Sequence, residues 1–465
     1  MSEIIPQTKK MSFTKKGIIN LVLFCASITG VTAIILHNAK VTMLETTGTL
    51  IVVAFCYLIL FLFLLQFRRE ILNVSRKILF ILLIIFVFVL LTKFVTGKFG
   101  NDLIFIVPFA IIPVIIRTFY DSRLALFILL ITVMLSGLVV VQAFEFILMS
   151  FISGMVAIFT LTNIYKRTRL FFTSASVIIS LSGLYLGICL MHNGDLHKFL
   201  LLDLIMFCGN GVLVLLSYPL IILFEQRFLL ISETTLLELS DTNQPLLRKL
   251  AEEAPGSFQH SLQVANLAEE AARAIGAHLL LVRAGALYHD IGKIANPFYY
   301  IENLADGVSP HEGLSPKESA KVIINHVTNG VILAKNYKLP VQIIDFIRTH
   351  HGTTIAYYFY KKFLDENPGK TEMEKDFEYP GPKPFSKETA VVMMADAVEA
   401  SSRSLGKYTE EGISEIVERI LYIQEQDGQF SDVPLTFKDI SDIKAVFKKR
   451  LSNIYHARIA YPERV

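Results

Sequence analysis

The sequence is poor in charged residues. Only 18% of its 465 residues are charged, whereas 53% are hydrophobic, and an average soluble domain has about 25% charged residues. This composition excludes a wholly soluble protein. Almost every long apolar run lies before Glu225 and the charged residues gather after it, so the chain has two physically different halves.

Cysteine is scarce, and none of it lies in the polar half. The four cysteines, Cys25, Cys56, Cys189 and Cys208, all fall inside apolar runs. Such cysteines are typical of small buried apolar side chains. A disulfide framework or a thiolate metal site is therefore excluded from the second half, and any metal ion there must be bound by nitrogen and oxygen atoms.

A strong net charge is also missing. The formal net charge is +3, and no basic stripe with interleaved aromatic residues is present. We therefore expect no polymeric nucleic acid as a partner. A homo-oligomer is compatible with the sequence, which carries no signal for or against one.

Eight apolar stretches in the first half approach the roughly 20 residues that a helix needs to cross a bilayer. They cover about 17–37, 48–66, 77–96, 102–116, 124–141, 145–163, 170–191 and 199–224. The first follows a lysine-rich start and is expected to be a retained anchor, with a cleaved signal peptide as the alternative. The sequence thus predicts a multi-pass protein of the cell membrane, surrounded by the lipid bilayer.

Basic residues favour one side of these stretches. With the N-terminus inside, thirteen lysines and arginines fall in cytoplasmic segments and four in the opposite loops. The positive-inside rule then predicts that both termini and the polar half are cytoplasmic. Glu145 and Asp203 lie near predicted span ends, and the absence of a carboxylate relay favours an anchor or sensor scaffold over a transporter.

The polar half shows helical periodicity and few strand signals. The cluster from Ser240 to Pro245 is typical of a turn with a helix cap before Leu246. We predict an all-α protein in three parts. These are a membrane domain of about eight helices at 1–224, a linker at 225–245 and an all-helical cytoplasmic domain at 246–465.

Five histidines and two aspartates of the polar half are expected on inward helix faces. They are His260, His289, His326, His350, His351, Asp290 and Asp396. A single inward histidine is more often a hydrogen-bonded core residue than a ligand, but burying all seven is costly unless a cation organises them. Seven ligands suit two divalent ions that share a carboxylate. Without thiolates, iron or manganese is expected, and zinc is a third option.

These residues carry a resemblance to a known family. The pair His289-Asp290 with Lys293, the earlier His260 and the distant Asp396 resemble the HD phosphohydrolase superfamily, and the additional His326, His350 and His351 resemble its binuclear branch. The segments 236–240, 253–257, 288–293, 379–384 and 395–400 closely resemble the seven-transmembrane HD family of cyclic-di-AMP phosphodiesterases (PgpH type).

The resemblance implies specific roles. His260, His289, Asp290 and Asp396 would hold one ion, and Asp290, His326, His350 and His351 the other, with Asp290 bridging. A hydroxide activated by both ions would hydrolyse cyclic-di-AMP to linear pApA. Lys293 and Arg403 are candidate phosphate contacts, Lys293 also a candidate catalytic residue beside Asp290, and Glu399 a candidate to orient a ligand or pair with Arg403.

Two departures from related patterns bear on function. The branch that hydrolyses cyclic-di-GMP carries Gly-Tyr-Pro after its paired histidines, whereas His351 is followed here by Gly-Thr-Thr-Ile, which argues against that substrate. Family members usually have a large extracytoplasmic domain after the first span, but only about ten residues, from Asn38 to Thr47, lie there. Whether this is natural or an engineered deletion is open, and external sensing is in doubt.

Two other functions remain open from the sequence. One is a membrane receptor that binds a nucleotide with little turnover. The other is an HD hydrolase of another nucleotide, such as guanosine tetraphosphate or a nucleoside triphosphate. A complete set of seven ligands favours the phosphodiesterase over the receptor.

Overall fold

The computed structural model describes residues 15–38, 40–101, 103–161, 167–193, 201–304, 309–369, 375–405 and 408–456. The chain forms two compact units, Met1–Glu233 and Thr234–Val465. Across the described residues there is no strand, only an isolated antiparallel bridge between Ile355 and Glu378. The prediction of an all-α protein is confirmed.

The helices of the first unit overlap the eight predicted apolar stretches, except for the short helix Arg69–Leu72, which lies between the second and third stretches. They are α1 (Lys15–Leu36), α2 (Met43–Phe67), the short α3 (Arg69–Leu72), α4 (Ser75–Phe99), α5 (Ile111–Phe119), α6 (Ser122–Gly137), α7 (Ala143–Thr160), α8 (Arg167–Asn193), α9 (Leu201–Val214) and α10 (Ser217–Phe228). Within the described ranges, six apolar helices are long enough to cross a membrane, with Leu201–Phe228 taken as one.

The fourth and fifth stretches form helices shorter than the roughly 20 residues that a bilayer span needs. Ile104–Phe119 and Ser122–Gly137 are apolar but have fewer than 18 residues each. In the first of them, every residue from Ile111 to Ile116 is buried inside the unit. A helix enclosed by other helices is shielded from lipid, so its length is not set by the thickness of the bilayer.

The backbone before α5 is not a regular α-helix. A 3₁₀ turn at Ile104–Ile106 precedes Pro108, and the carbonyls of Phe105 and Val107 both accept hydrogen bonds from the Asn210 amide, at 2.8 and 3.0 Å. Buried backbone carbonyls need such partners in a membrane. Asn210 therefore stabilises the interruption.

Several basic residues used for the orientation argument lie outside the described residues. They include Lys9, Lys10, Lys166 and Lys198. The orientation of the membrane helices therefore stays a prediction.

The second unit is a bundle of shorter amphipathic helices. They are α11 (Glu233–Leu239), which begins at the boundary, α12 (Pro245–Glu253), α13 (Pro255–Ala274), α14 (Leu279–Tyr288), α15 (Pro316–Asn336), α16 (Val341–Thr349), α17 (Tyr357–Glu366), α18 (Lys387–Ser402), α19 (Glu410–Gln426) and α20 (Phe437–His456). Helix α13 packs against α14, α18 and α20 and buries Val264, Leu267 and Ala268.

Helix α14 ends earlier than the sequence pattern predicts. The apolar periodicity of the sequence favours a helix that ends at Gly292-Lys293 or shortly after, but α14 ends at Tyr288 and a 3₁₀ helix follows at Ile291–Ala295. The cause is a close approach to α15, because a Cβ atom at Gly292 would lie 1.8 Å from the carbonyl oxygen of His326. Tertiary packing therefore sets this boundary.

Candidate metal centre

The structure brings all seven predicted ligands together. His260 lies in α13, His289 and Asp290 follow α14, His326 lies in α15, His350 and His351 follow α16, and Asp396 lies in α18. Their ligand atoms form three overlapping groups, each with atoms within 4.8 Å of one another. The groups are His260, His289 and Asp396; His289, Asp290 and His350; and His326, His350 and His351.

Asp290 lies between two pairs of histidines. Its Oδ2 atom is 3.6 Å from Nε2 of His260 and 3.3 Å from Nε2 of His289. Its Oδ1 atom is 3.4 Å from Nε2 of His326 and 3.7 Å from Nε2 of His350. Each carboxylate oxygen thus faces its own pair, which is the arrangement of a carboxylate that bridges two sites.

Asp396 extends both sides of this arrangement. Its Oδ1 atom lies 2.9 Å from Nε2 of His260 and 3.6 Å from Nε2 of His289. Its Oδ2 atom lies 3.8 Å from Nδ1 of His351. Asp396 therefore shares a pair of histidines with Asp290.

The hydrogen bonds of three histidines fix their ring tautomers. In His289, His326 and His350, Nδ1 donates to the backbone carbonyl three residues earlier. When each ring is neutral, this hydrogen bond leaves the lone pair on Nε2, where a metal ion would bind. The accepting carbonyls belong to Ala286, Ile323 and Ile347, at 2.7, 2.6 and 2.8 Å respectively.

This tautomer assignment brings two lone pairs face to face. The Nε2 atoms of His326 and His350 are 3.0 Å apart, which is repulsive unless a proton or a metal ion lies near both. Nε2 of His289 and Oδ1 of Asp290 are buried and make no hydrogen bond. Buried polar atoms without partners are rare, and a set of imidazole nitrogens and carboxylate oxygens fits divalent ions.

Most of the cluster is held in the protonation states that metal binding requires. Burial raises the pKa of Asp290 and Asp396, but neighbouring cationic and imidazole groups outweigh it, so both pKa values are well below the usual range. Burial lowers the pKa of His326 and His350 despite the nearby Asp290 carboxylate, and it lowers the pKa of His351 to about 3. Metal ions bind ionised carboxylates and neutral imidazoles.

The pKa values of His260 and His289, the two histidines nearest both carboxylates, are raised instead of lowered. Burial lowers the pKa of His289, but Asp290 and Asp396 outweigh it and raise that pKa to about 10. The pKa of His260 is likewise raised, because Asp396 and Glu399 outweigh the effect of burial. A metal ion at either imidazole would therefore displace a proton.

Glu399 and Arg403 form an outer layer around His260. Nδ1 of His260 lies 2.5 Å from Oε2 of Glu399, and Arg403 donates from Nε and Nη2 to the other oxygen, Oε1, at 2.9 and 2.6 Å. Glu399 thus makes both contacts considered from the sequence. The Arg403 side chain is 38% exposed.

Lys293 is not a free cation. Its Nζ atom lies 2.8 Å from Oδ2 of Asp290 and 2.8 Å from Oε1 of Glu302. The ammonium also lies 5.0 Å from the centre of the Tyr300 ring. Burial lowers the pKa of Lys293, but the two carboxylates outweigh it and raise the pKa above its ordinary value.

Two residues of the site, Glu302 and Tyr379, are not predicted by the sequence pattern. The Tyr379 ring stacks on the His351 imidazole with ring centroids 4.2 Å apart and an interplanar angle of 30°. The backbone N–H of Tyr379 donates to the Thr354 carbonyl at 2.9 Å. No periodicity signals such contacts, although 379–384 was among the family-like segments.

Two family models match the chain in the order of its two units. Residues 43–232 match the 7TM receptor with intracellular HD hydrolase, and residues 257–401 match the HD domain. The chain belongs to this 7TM–HD family. It is accordingly a multi-pass membrane protein.

The relatives that this 7TM–HD chain resembles include two curated phosphodiesterases. Cyclic-di-AMP phosphodiesterase PgpH of Bacillus subtilis is 36% identical over 374 residues, covering 78% of this chain and 52% of the relative. PgpH of Listeria monocytogenes is 35% identical over 368 residues, covering 78% and 51% respectively. The chain thus spans about half the length of these relatives.

A solved structure also matches. The crystal structure of the L. monocytogenes PgpH HD domain in complex with cyclic-di-AMP is 42% identical, covering 46% of this chain and 100% of that chain, with a TM-score of 0.45.

Proposed function

We propose that the chain is a membrane-bound, metal-dependent phosphodiesterase that hydrolyses cyclic-di-AMP to pApA. The observation that carries the proposal is Asp290, whose two oxygens face separate histidine pairs in one buried cluster. Two-metal sites of this kind are typical of enzymes that cleave phosphodiesters. The substrate is suggested by the names of the PgpH relatives.

The proposed ligand sets follow the two faces of Asp290. His260, His289, Asp290 and Asp396 hold one ion. Asp290, His326, His350 and His351 hold the other. Because the donors are nitrogen and oxygen without a thiolate, we propose iron or manganese as the metal.

When bound, the two ions would activate a water molecule and neutralise charge on the phosphate oxygens. The chain itself supplies orientation. Asp290 fixes the spacing of the two ligand sets, and Glu399 holds the ring of His260. Arg403 remains accessible, and its guanidinium would bind a phosphate oxygen by a charge-assisted hydrogen bond. Lys293 would contribute positive charge next to Asp290.

We also propose the arrangement of the chain around this activity. A membrane domain at 1–224 and a linker at 225–245 precede a cytoplasmic catalytic domain at 246–465. The division of the chain after Glu233 supports this assignment, as do the family matches that end at residue 232 and begin at residue 257.

The test is product analysis with the purified full chain in detergent, supplied anaerobically with Fe²⁺ or with Mn²⁺. We expect cyclic-di-AMP to yield pApA, and expect little turnover of guanosine tetraphosphate or nucleoside triphosphates. Binding without product would indicate a receptor, and turnover of another nucleotide in preference would indicate a different HD hydrolase. Either result contradicts the proposal.

Asp290→Asn provides the matched variant, because it keeps the shape of the side chain but removes its charge. We expect kcat to fall by at least about a thousandfold, with loss of bound metal, because both ligand sets lose their shared carboxylate. The control is Asp345→Asn, which alters an aspartate paired with Arg348 in the same unit. Activity retained in Asp290→Asn would refute the bridging role.

A further inference from the structure

The segment that carries Glu302 packs unusually closely on the start of α13. A Cβ atom at Gly256 would lie 1.8 Å from the Glu302 carbonyl oxygen, so only glycine allows this approach. The N–H of Ser257 donates to Oδ1 of Asn303 at 3.1 Å, and Nδ2 of Asn303 donates to Oγ of Ser257 at 2.9 Å. The Gly256-Ser257 pair thus forms a platform for the 3₁₀ turn Ile301–Asn303.

The platform fixes the Glu302 carboxylate. Oγ of Ser257, which is fully buried, donates to Oε1 of Glu302 at 2.8 Å. The same oxygen accepts the Lys293 ammonium at 2.8 Å. Only 13% of the Glu302 side chain is exposed, so this ion pair is poorly screened by solvent.

The Lys293 ammonium therefore lies between two carboxylates. Asp290, the carboxylate that faces both histidine pairs, is on one side, Glu302 is on the other, and the Tyr300 ring lies nearby. If Lys293 paired with Asp290 alone, the pair would be neutral and would attract a divalent ion weakly. A second carboxylate offsets the ammonium charge and leaves Asp290 with more of its negative charge.

The net charge of the whole cluster also indicates that Glu302 favours the binding of divalent ions. With neutral imidazoles, it contains four carboxylates and two cationic side chains, so its net charge is −2, and two divalent ions would bring it to +2. Without the charge of Glu302, the cluster would hold the ions less tightly. The groups counted are Asp290, Asp396, Glu302, Glu399, Lys293 and Arg403.

We infer that Glu302 is a positioning residue of the metal centre: it holds the Lys293 ammonium and so keeps Asp290 available to bridge two metal ions. The inference rests on the proposed function, since it concerns the same metal centre. It also gives the segment 253–257 a role, because Gly256 and Ser257 place Glu302.

The experiment measures metal affinity, which does not depend on turnover. Chelator-treated full chain in detergent is titrated with Mn²⁺ by calorimetry, as wild type, Glu302→Gln, Lys293→Met and the double variant. We expect Glu302→Gln to weaken Mn²⁺ binding by roughly 10- to 100-fold, the usual effect of altering a group that supports a ligand. Lys293→Met should bind at least as tightly as wild type.

The double variant distinguishes positioning from general damage. Once Lys293 is uncharged, Glu302 has no ammonium to hold, so Glu302→Gln combined with Lys293→Met should regain most of the affinity lost in the single variant. A double variant as weak as Glu302→Gln would overturn the inference. Wild-type affinity in Glu302→Gln would overturn it as well.

Two further variants control for the specificity of the effect and for a folding defect. Glu269→Gln removes a half-buried carboxylate paired with Arg283 away from the ligands, and it should bind Mn²⁺ like wild type. Ser257→Ala removes only the hydroxyl bonded to Glu302 and should weaken binding less, in the same direction, even if Glu302→Gln fails to fold. If wild type binds no Mn²⁺, the proposed function itself fails, whereas two bound ions with an unaffected Glu302→Gln refute only this inference.

Discussion

The hydrogen bond made by one ring nitrogen of a histidine determines how firmly the other nitrogen, the proposed metal ligand, is oriented. His289, His326 and His350 each use a backbone carbonyl for this purpose. His260 instead uses the Glu399 carboxylate, at 2.5 Å. A carboxylate partner makes an imidazole a stronger metal ligand. The strength of His260 as a proposed ligand therefore depends on the Glu399 side chain, which can be substituted.

We therefore expect Glu399→Gln to weaken binding of the metal ion whose proposed ligands include His260. The substitution keeps the size of the side chain but removes its charge, and the expected loss of Mn²⁺ affinity is about 10- to 100-fold. At a Mn²⁺ concentration that just fills both sites of the wild type, the variant should bind about one ion per chain. The reason is that His326, His350 and His351, proposed ligands of the other ion, do not contact Glu399. Equilibrium dialysis with elemental analysis measures this.

The matched control lies on the same helix. Glu388 in α18 accepts a hydrogen bond from the backbone N–H of His278 and contacts no proposed ligand. Glu388→Gln should bind two ions like wild type. Two ions bound with wild-type affinity by Glu399→Gln would show that the contact with His260 does not tune the site.

At the residue scale, the sequence identifies a member of the site when its side-chain chemistry is unusual for a buried position. Buried histidines next to aspartates are costly without a metal ion, which is why the sequence could predict that these seven residues form one cluster. Glu302 and Tyr379 are ordinary residue types in irregular segments, and their roles come from contacts such as Ser257–Glu302, across 45 positions. Hydrophobic periodicity carries no information about such contacts.

At the scale of elements, the candidate metal centre depends on close backbone contact between two neighbouring elements. The 3₁₀ helix Ile291–Ala295 follows the His-Asp pair and lies directly against α15, which carries His326. At Gly292, a Cβ atom would meet the His326 carbonyl oxygen at 1.8 Å and the Gly330 nitrogen at 2.6 Å. Backbone atoms cannot rotate away as a side chain can, so these two elements must separate if Gly292 is replaced.

Gly292→Ala should accordingly destabilise the second unit and disturb metal binding together. We expect a loss of roughly 3 kcal/mol in the free energy of unfolding, at the upper end for overpacking. Gly313→Ala is the control, since nothing lies within 4 Å of its added Cβ, and a change within about 0.5 kcal/mol is expected. Denaturant unfolding of the full chain followed by circular dichroism compares them, and equal stability would contradict the close approach.

The start of α20 is tied to α18 through Asp439. Its Oδ2 atom accepts hydrogen bonds from Nζ of Lys387 at 2.8 Å and from the backbone N–H of Thr436 at 2.9 Å. The Lys387 ammonium, followed by the Thr436 amide, lowers the pKa of Asp439 to about 2. An aspartate in an unfolded chain has a pKa of about 3.9.

This shift predicts a pH-dependent contribution to stability. Because the pKa is lower in the folded state, the stabilisation is fully present above about pH 5 and is lost as the pH falls from about 4 towards 2. Asp439→Asn should therefore unfold more easily than wild type at pH 6, and the difference should shrink as the pH approaches 2. Unfolding curves of the metal-free proteins test this. A difference independent of pH would refute the ion pair as its source.

The elements themselves were only partly predictable from sequence. Within the described residues, apolar runs indicated each of the six helices long enough to cross a membrane, and inward faces indicated α13, α15 and α18. The end of α14 was predicted too late, and the 3₁₀ turn that precedes α5 was not predicted, because neighbouring helices set both: Gly292 lies against α15, and α5 is enclosed within the first unit. Local pattern cannot encode these constraints.

At the scale of the whole chain, contacts within the first unit bear on how its helices alternate. Arg68, after α2, donates to Asp121, before α6, so these two connections lie at the same end of the unit. Glu145 at the start of α7 lies 3.4 Å from His192 at the end of α8, which joins two other helix ends. The basic-residue pattern assigns the first pair to the cytoplasm and the second pair to the opposite side.

The final prediction concerns this orientation. A fluorescent reporter that folds only in the cytoplasm should be active when fused after the C-terminus or inserted near residue 70, beside Arg68. A phosphatase reporter active only outside should be active when inserted near residue 40, between α1 and α2. Quantified activity, corrected for the amount of each fusion, gives the result.

The paired contacts make the orientation test stringent, because reporters near Arg68 and Asp121 must agree with each other. Reporters near residues 142 and 195, flanking Glu145 and His192, must also agree and must report the opposite side. If all four were reversed, the helix alternation would stand but the charge argument would fail, and the metal centre would lie outside the cell. If partners disagreed, the alternation of helices would itself be wrong.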